Sequence, residues 1–247
     1  MNTGAVDPLD RLAAVCARHG VWLHVDAAYG GPAVLSSRYN YLRSLLPLAD
    51  SITLDPHKWL FAPIEAGAVL VRQPQALRET FSLVPPYLRS NASASDSVDP
   101  VFGLPWFSEY GFQQTRGFRA LKCWMTMKQF GLRGYAEAVE KSLVLADRLA
   151  AQVAAAPDFE LLEPRGMSVV CFRHRSVVDS APDGADALNR GLLQALQLGG
   201  RYFLAGTVLD GRFYLRACIV NGRAGEADID GVIPALRHAF SATLRPL

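Results

Sequence analysis

Two short apolar runs, "VWLHVD" (Val21 to Asp26) and "SITLD" (Ser51 to Asp55), each end on an aspartate and pass directly into small or turn-forming residues. Runs of this length and composition read as strands. A helical pattern precedes the first of them. In "LDRLAAVCARH" the apolar residues recur at helical spacing, with Asp7 placed as N-cap, Pro8 suited to the first position and Gly20 closing the end. A third apolar run, "GAVLVR" (Gly67 to Arg72), follows the second. Strands separated by helices or long connections imply an α/β layer architecture with a largely parallel sheet. In such sheets ligands bind beside the C-terminal ends of the strands, where the two aspartates lie.

The remaining chain changes character twice. "SNASASDSVDP" (Ser90 to Pro100) is small and polar without apolar period, as in a functional mobile loop or a linker. A helical pattern then runs from Gly117 to about Ala156, with a bend expected near Gly131 and Gly134. After it, "FELLEP" and "SVVCFRHR" read as strands and "GADALNRGLLQALQLGG" as a helix. "YFLAGTVL" and "RFYLRACIV" flank Asp210-Gly211, a type I′ hairpin signal. A last helix is expected over Ala224 to Thr243, with Glu226 and Asp228 near its positive end. The organisation is a first domain over 1–130, including a mobile loop at about 85–112. A connecting helix and a small C-terminal α+β domain follow over 131–247.

Composition narrows the function classes. Of 247 residues, 50% are hydrophobic and 19% charged, enough to bury a sizeable core and too apolar for disorder. The net charge of +2 comes without a basic block, which argues against nucleic acid as a partner. Cys16, Cys123, Cys171 and Cys218 lie far apart without metal-ligand spacing, as expected of reduced thiols and no metal site. There is no signal-peptide pattern at the N-terminus and no apolar run of membrane-spanning length, so a cytoplasmic protein without membrane partners is expected.

Asp26 and Lys58 each follow the end of an expected strand. Singly, the aspartate reads as a cap or turn residue and the lysine as a solvated loop charge. Together, "HVDAAYGG" followed by "ADSITLDPHKW" resembles the pyridoxal phosphate (PLP)-dependent amino acid decarboxylases of group II, which include aromatic amino acid and glutamate decarboxylases. The likeness extends from "TGAVDPL" through "YLRACIVN". It implies a fold type I large domain, as in PLP-dependent transferases, and a homodimer that converts a small-molecule L-amino acid to its amine and CO2.

The resemblance also implies roles for single residues. Asp26 pairs with the pyridine nitrogen and keeps it protonated, so that the ring accepts the electrons left at Cα. Lys58 forms the Schiff base with PLP, which requires its neutral amine. Ala28 is small enough for the ring to lie against it. His57 is placed near the cofactor phosphate and the substrate carboxylate; a histidine bonded only for loop structure is the plain alternative. Tyr87, in "VPPYLRS", matches a loop tyrosine that protonates Cα after CO2 leaves, a suitable task for a phenol. Relatives with Phe there produce aldehydes. The plain alternative is an aromatic packed for its area.

Other positions stay open at this level. Asp55 stands where several relatives carry Asn, and a negative charge near a phosphate is awkward. His24 shares a strand face with Asp26, either to support that carboxylate or as a core histidine. Arg116 and Arg119 read as anchors of the loop base or of a neighbouring subunit, or as solvated cations. Arg216 is a candidate for the cleft. The resemblance further implies a portion preceding "TGAVDPL" that cradles the phosphate and stacks on the ring. The chain is therefore expected to be the C-terminal part of such an enzyme and to bind PLP poorly alone. The alternatives are a non-catalytic remnant of the fold serving as an interaction module, and another fold type I PLP enzyme such as an aminotransferase.

Overall fold

The structure, a computed structural model, describes residues 2–83, 106–175 and 184–243. Helix α1 covers Leu9–His19 and ends at Gly20, whose φ of 63° is the left-handed conformation that suits glycine. Pro8, not Asp7, occupies the position before the helix, and no side chain caps it. The Leu12 N–H instead donates to the Pro8 carbonyl at 3.0 Å, so the proline carbonyl opens the helix.

Strand β1 is His24–Asp26, shorter than the apolar run that announces it. Val21 and Trp22 are 56% and 50% exposed rather than buried. At Leu23 a side chain takes over one backbone bond. Leu23 N–H donates to Asp50 Oδ2 at 2.8 Å, while its carbonyl accepts from Asp50 N–H at 2.8 Å. β2 (Ser51–Leu54) lies parallel to β1, with His24 opposite Ser51 and Asp26 opposite Thr53. β3 (Ala68–Val71) runs antiparallel on the far side of β2, giving the order β1-β2-β3. Between β1 and β2 the chain makes short 3-10 turns and helix α2 (Leu42–Leu45), none of them anticipated. Helix α3 (Ala76–Phe81) follows β3.

Helix α4 spans Arg119–Ala155 and is interrupted at Gly131, with φ 63° and ψ 176°. The expected bend is therefore a single left-handed residue. A second sheet follows, with β4 (Phe159–Leu161), β5 (Val169–His174), β6 (Ala205–Leu209) and β7 (Arg212–Cys218) in the order β4-β5-β7-β6. All its pairings are antiparallel. The β6–β7 turn has positive φ at both Asp210 (50°) and Gly211 (75°), as a type I′ turn requires. Helix α5 is Gly184–Leu198. The single last helix expected from the sequence is two, α6 (Glu226–Asp230) and α7 (Val232–Thr243), divided at Gly231. A Cβ on Gly231 would lie 2.0 Å from the Tyr202 hydroxyl. Pro234 stands in the first turn of α7, where its missing N–H is tolerated.

The larger core lies between the second sheet and helices α4 to α7. Val170, Phe172, Leu192, Leu215 and Leu236 are fully buried in it. β5 is buried along its whole length, because its other face packs Val169 and Cys171 on Tyr214. Asn189 of α5, itself fully buried, accepts the His174 N–H at 2.7 Å and donates to the His174 carbonyl at 3.1 Å. One amide thus satisfies both polar groups at the end of β5. A smaller cluster joins Leu9, Ala33, Leu42 and Trp59 to Val139 and Leu143 of α4 and to Met167. No helix among the described residues is long and apolar enough to cross a membrane.

Phe172 and Leu215 face each other in the β5–β7 register and have no exposed surface. Replacing Phe172 by Ala is expected to lower the unfolding free energy by about 3–5 kcal/mol, read from denaturant melts. A loss below about 1 kcal/mol would remove this pair from the centre of the core.

Candidate active site

The ends of β1 and β2 are tied to each other beyond the last ladder residues. Ala27 N–H donates to the Thr53 carbonyl at 3.1 Å, and Asp55 N–H donates to the Ala28 carbonyl at 3.2 Å. Asp26 turns its carboxylate back on its own loop, where Oδ1 accepts the Ala28 N–H at 3.1 Å. That bond fixes the carboxylate at the strand end. Gly31 N–H closes the turn on the Ala27 carbonyl at 2.8 Å, and Ala28 is buried beneath it.

After β2 the chain folds compactly through Asp55-Pro56-His57-Lys58. Lys58 N–H donates to the Asp55 carbonyl at 2.9 Å, and Ala62 N–H to the Pro56 carbonyl at 3.0 Å. Trp59 is wholly buried, which pins the turn and leaves the neighbouring Lys58 side chain 42% exposed. Lys58 Nζ lies 2.8 Å from Asp55 Oδ2. Asp55, ambiguous in the sequence, is thus the ion-pair partner of the lysine. His57 Nδ1 is 2.6 Å from the Ala66 carbonyl and 3.1 Å from the Ala66 N–H. The ring nitrogen donates to the first in one tautomer or accepts from the second in the other.

Two cavities flank these strand ends. One, of about 250 Å³, is lined by Asp26 and by apolar residues that include Leu9, Leu12 and Leu23. The other, of about 620 Å³, is lined by His57, Lys58, Phe61, Phe130, Tyr135 and Arg223. The structure therefore brings Asp26 and Lys58 to the ends of adjacent parallel strands, while their side chains line different cavities. Tyr87 and the segment Ser90 to Pro100 lie outside the described residues.

The remaining candidates have local partners. His24 Nδ1 is 2.7 Å from Ser51 Oγ and its Nε2 is 3.0 Å from Thr53 Oγ1, so β2 hydroxyls hold it in place. Arg119 donates through Nε and Nη2 to Glu65 Oε1 at 2.8 and 2.6 Å, and these bonds hold the Glu65 carboxyl below its ordinary range. Arg119 thus links the start of α4 to the loop after Lys58. Arg116 donates to the Phe107 carbonyl at 2.8 Å and stands over the Phe107 ring. Arg216 Nε donates to the Asn2 carbonyl at 2.8 Å.

Sequence reasoning missed a pair that joins the two loops. Tyr29 and Trp59 stack with ring centroids 5.0 Å apart and planes 12° apart. The only local signal is an aromatic residue shortly after Asp26 and another beside Lys58.

Comparison with known proteins bears on this site. The family described as "Pyridoxal-dependent decarboxylase conserved domain" matches residues 1–175. An aromatic-L-amino-acid decarboxylase from Bacillus atrophaeus is 38% identical over 208 residues, which are 84% of this chain and 42% of that relative. A crystal structure of Oryza sativa TDC with PLP and tryptamine superposes with a TM-score of 0.87 at 29% identity, covering 99% of this chain and 49% of that one. Catharanthus roseus tryptophan decarboxylase in complex with L-tryptophan gives 0.84 at 28% identity, covering 98% and 49%. The chain spans about two fifths of the length of these curated relatives and about half that of the solved chains.

The His57 geometry separates a structural from a chemical share of that residue. His57→Phe removes the one ring nitrogen that pairs with the Ala66 N–H or carbonyl and is expected to cost about 1–3 kcal/mol in equilibrium unfolding. His57→Asn, which keeps a polar atom close to the position of Nδ1, is expected to recover at least half of that loss. Equal stability of both variants and the native chain would remove the loop-holding role.

Proposed function

This chain belongs to the pyridoxal-dependent decarboxylase family, and we propose that its strand ends carry cofactor and substrate chemistry in decarboxylation of an L-amino acid to the amine and CO2. The observation that carries this reading is the placement of Asp26 and Lys58 at the C-terminal ends of adjacent parallel strands, joined by the Asp55 N–H to Ala28 carbonyl bond.

The residue types present fit PLP, with Asp26 and Lys58 lining separate cavities at the neighbouring strand ends of this chain. A carboxylate held by a backbone N–H, a buried methyl group beside it and a partly exposed primary amine form the donor set that its ring and aldehyde need. When bound, the cofactor supplies an electron sink for the pair left at Cα as CO2 departs. Asp26 holds the proton on the ring nitrogen, and Ala28 offers a flat contact. Lys58 presents its amine for covalent attachment. Asp55, 2.8 Å from Nζ, accepts the proton that the ammonium must shed before the nitrogen is nucleophilic. His57, with Nδ1 engaged by Ala66, leaves Nε2 as the ring nitrogen for a ligand in the cavity it lines. Tyr87 delivers the proton to Cα once CO2 has left.

An aromatic L-amino acid is the substrate class best supported. The relatives and solved structures above are named for such substrates, and the cavity at Lys58 is walled by Phe61, Phe130 and Tyr135. A homodimer working in the cytoplasm belongs to the same reading and is supported by the family likeness alone.

In the complete enzyme, borohydride reduction after PLP treatment followed by peptide mapping is expected to place the pyridoxyl group on Lys58. Labelling of Lys122, Lys128 or Lys141 instead would sink the assignment. Replacing Tyr87 by Phe is expected to cut amine release from an aromatic amino acid by about 10²-fold or more and to raise oxygen uptake with aldehyde formation. An unchanged amine yield without oxygen uptake would reduce Tyr87 to a packing residue.

A further inference from the structure

Tyr29 stands three residues beyond Asp26 on the β1 loop, and Trp59 follows Lys58 on the β2 loop. The stacked rings are thus a side-chain contact between the segment bearing the carboxylate and the segment bearing the amine. The indole cannot drift, because it is fully buried among Leu9, Ala33, Leu42, Val139, Leu143 and Met167. Whatever fixes Tyr29 therefore fixes both loops.

Tyr29 is fixed at its far end by the second half of the chain. Its hydroxyl lies 2.6 Å from Ser168 Oγ and also accepts the Ser168 N–H at 3.0 Å. Ser168 is fully buried at the entry to β5, and its carbonyl accepts the Ile219 N–H from the end of β7 at 2.9 Å. Two further contacts hold the same junction. The Met167 N–H donates to the Tyr39 hydroxyl at 2.7 Å, and a Cβ on Gly30 would lie 2.7 Å from the Met167 methyl. Burial, with Cys218 nearby, raises the Tyr29 phenol well above its ordinary pKa, so it stays protonated throughout the working pH range.

We propose that Tyr29 is a positioning residue: by stacking on Trp59 and bonding to Ser168, it sets the placement of Asp26 relative to Lys58 and locks both to the second sheet. The inference rests on the reading of Asp26 and Lys58 given under Proposed function. A tyrosine packed only for its area would also stack and be buried. The two roles differ in what they transmit. A packing residue changes stability, whereas a positioning residue changes how selectively the lysine meets a bound aldehyde.

Tyr29→Phe removes both bonds to Ser168 and Ser168→Ala removes only the hydroxyl–hydroxyl bond, each keeping both rings and the sheet, and the double variant completes a cycle. Each holoenzyme is treated with PLP and borohydride, and pyridoxyl at Lys58 is measured relative to Lys122, Lys128 and Lys141, beside the visible circular dichroism of bound cofactor and thermal melts. Tyr29→Phe is expected to lose Lys58 selectivity and cofactor dichroism together, by about fivefold, Ser168→Ala to lose less, and the double variant to lose no more than Tyr29→Phe. Tyr29→Leu, which also removes the stack, is expected to lose about fivefold more. Native selectivity and dichroism in folded Tyr29→Phe and Ser168→Ala proteins would overturn the proposal, as would losses that simply add in the double variant. A native enzyme without preference for Lys58 would instead refute the assignment of that lysine, and the lock with it.

Discussion

The parallel pairing of β1 with β2 is the constraint on which the rest of this molecule depends. Parallel neighbours point their C-terminal ends the same way, and a loop leaving each end is then forced to the same side of the sheet. Here the pairing continues past the strands, through the Thr53 and Ala28 carbonyls, into the loops themselves. Residues far apart in sequence acquire a common reference frame from backbone bonds that any sequence can make. What is particular to this chain is the choice of side chains hung on that frame.

Those side chains show how polar groups are kept useful rather than merely satisfied. Asp26 spends one oxygen on a backbone N–H, which orients it without neutralising it. Lys58 is paired with Asp55, a residue of its own turn, so its position does not depend on a distant element. The aromatic stack of Tyr29 on the buried Trp59 joins the two loops through their side chains.

Much of this was legible locally. The ends of both strands, the break in α4 at Gly131 and the turn at Asp210-Gly211 follow from short-range pattern and glycine stereochemistry. The identities of Asp26 and Lys58 as a pair came from a motif, not from periodicity. The partner of Asp55 could not be read, because a carboxylate three residues before a lysine has several possible rotamers. The start of β1 was overread, and at Leu23 an Asp50 side chain takes over a backbone bond, which no strand pattern encodes. Tyr29 and Ser168 were invisible for a deeper reason: their bond spans 139 positions and appears only once the two sheets are set against each other. The glycine between α6 and α7 likewise answers to the approach of Tyr202, a residue from another part of the chain, which leaves no room for a Cβ.

Gly131 has an effect larger than a bend. A continuous α-helix advances about 100° per residue, so a single apolar stripe at one end dictates where the stripe falls at the other. One residue at φ 63° and ψ 176° resets that phase. Beyond it, Tyr135, Val139, Leu143, Ala146, Leu149 and Val153 aim inward as one buried stripe. Before it, Leu121, Trp124, Met125 and Met127 are exposed, while Phe130 lines the cavity at Lys58. A single glycine thus lets one stretch of chain carry a buried apolar stripe on one side of the break without prolonging that stripe to the other.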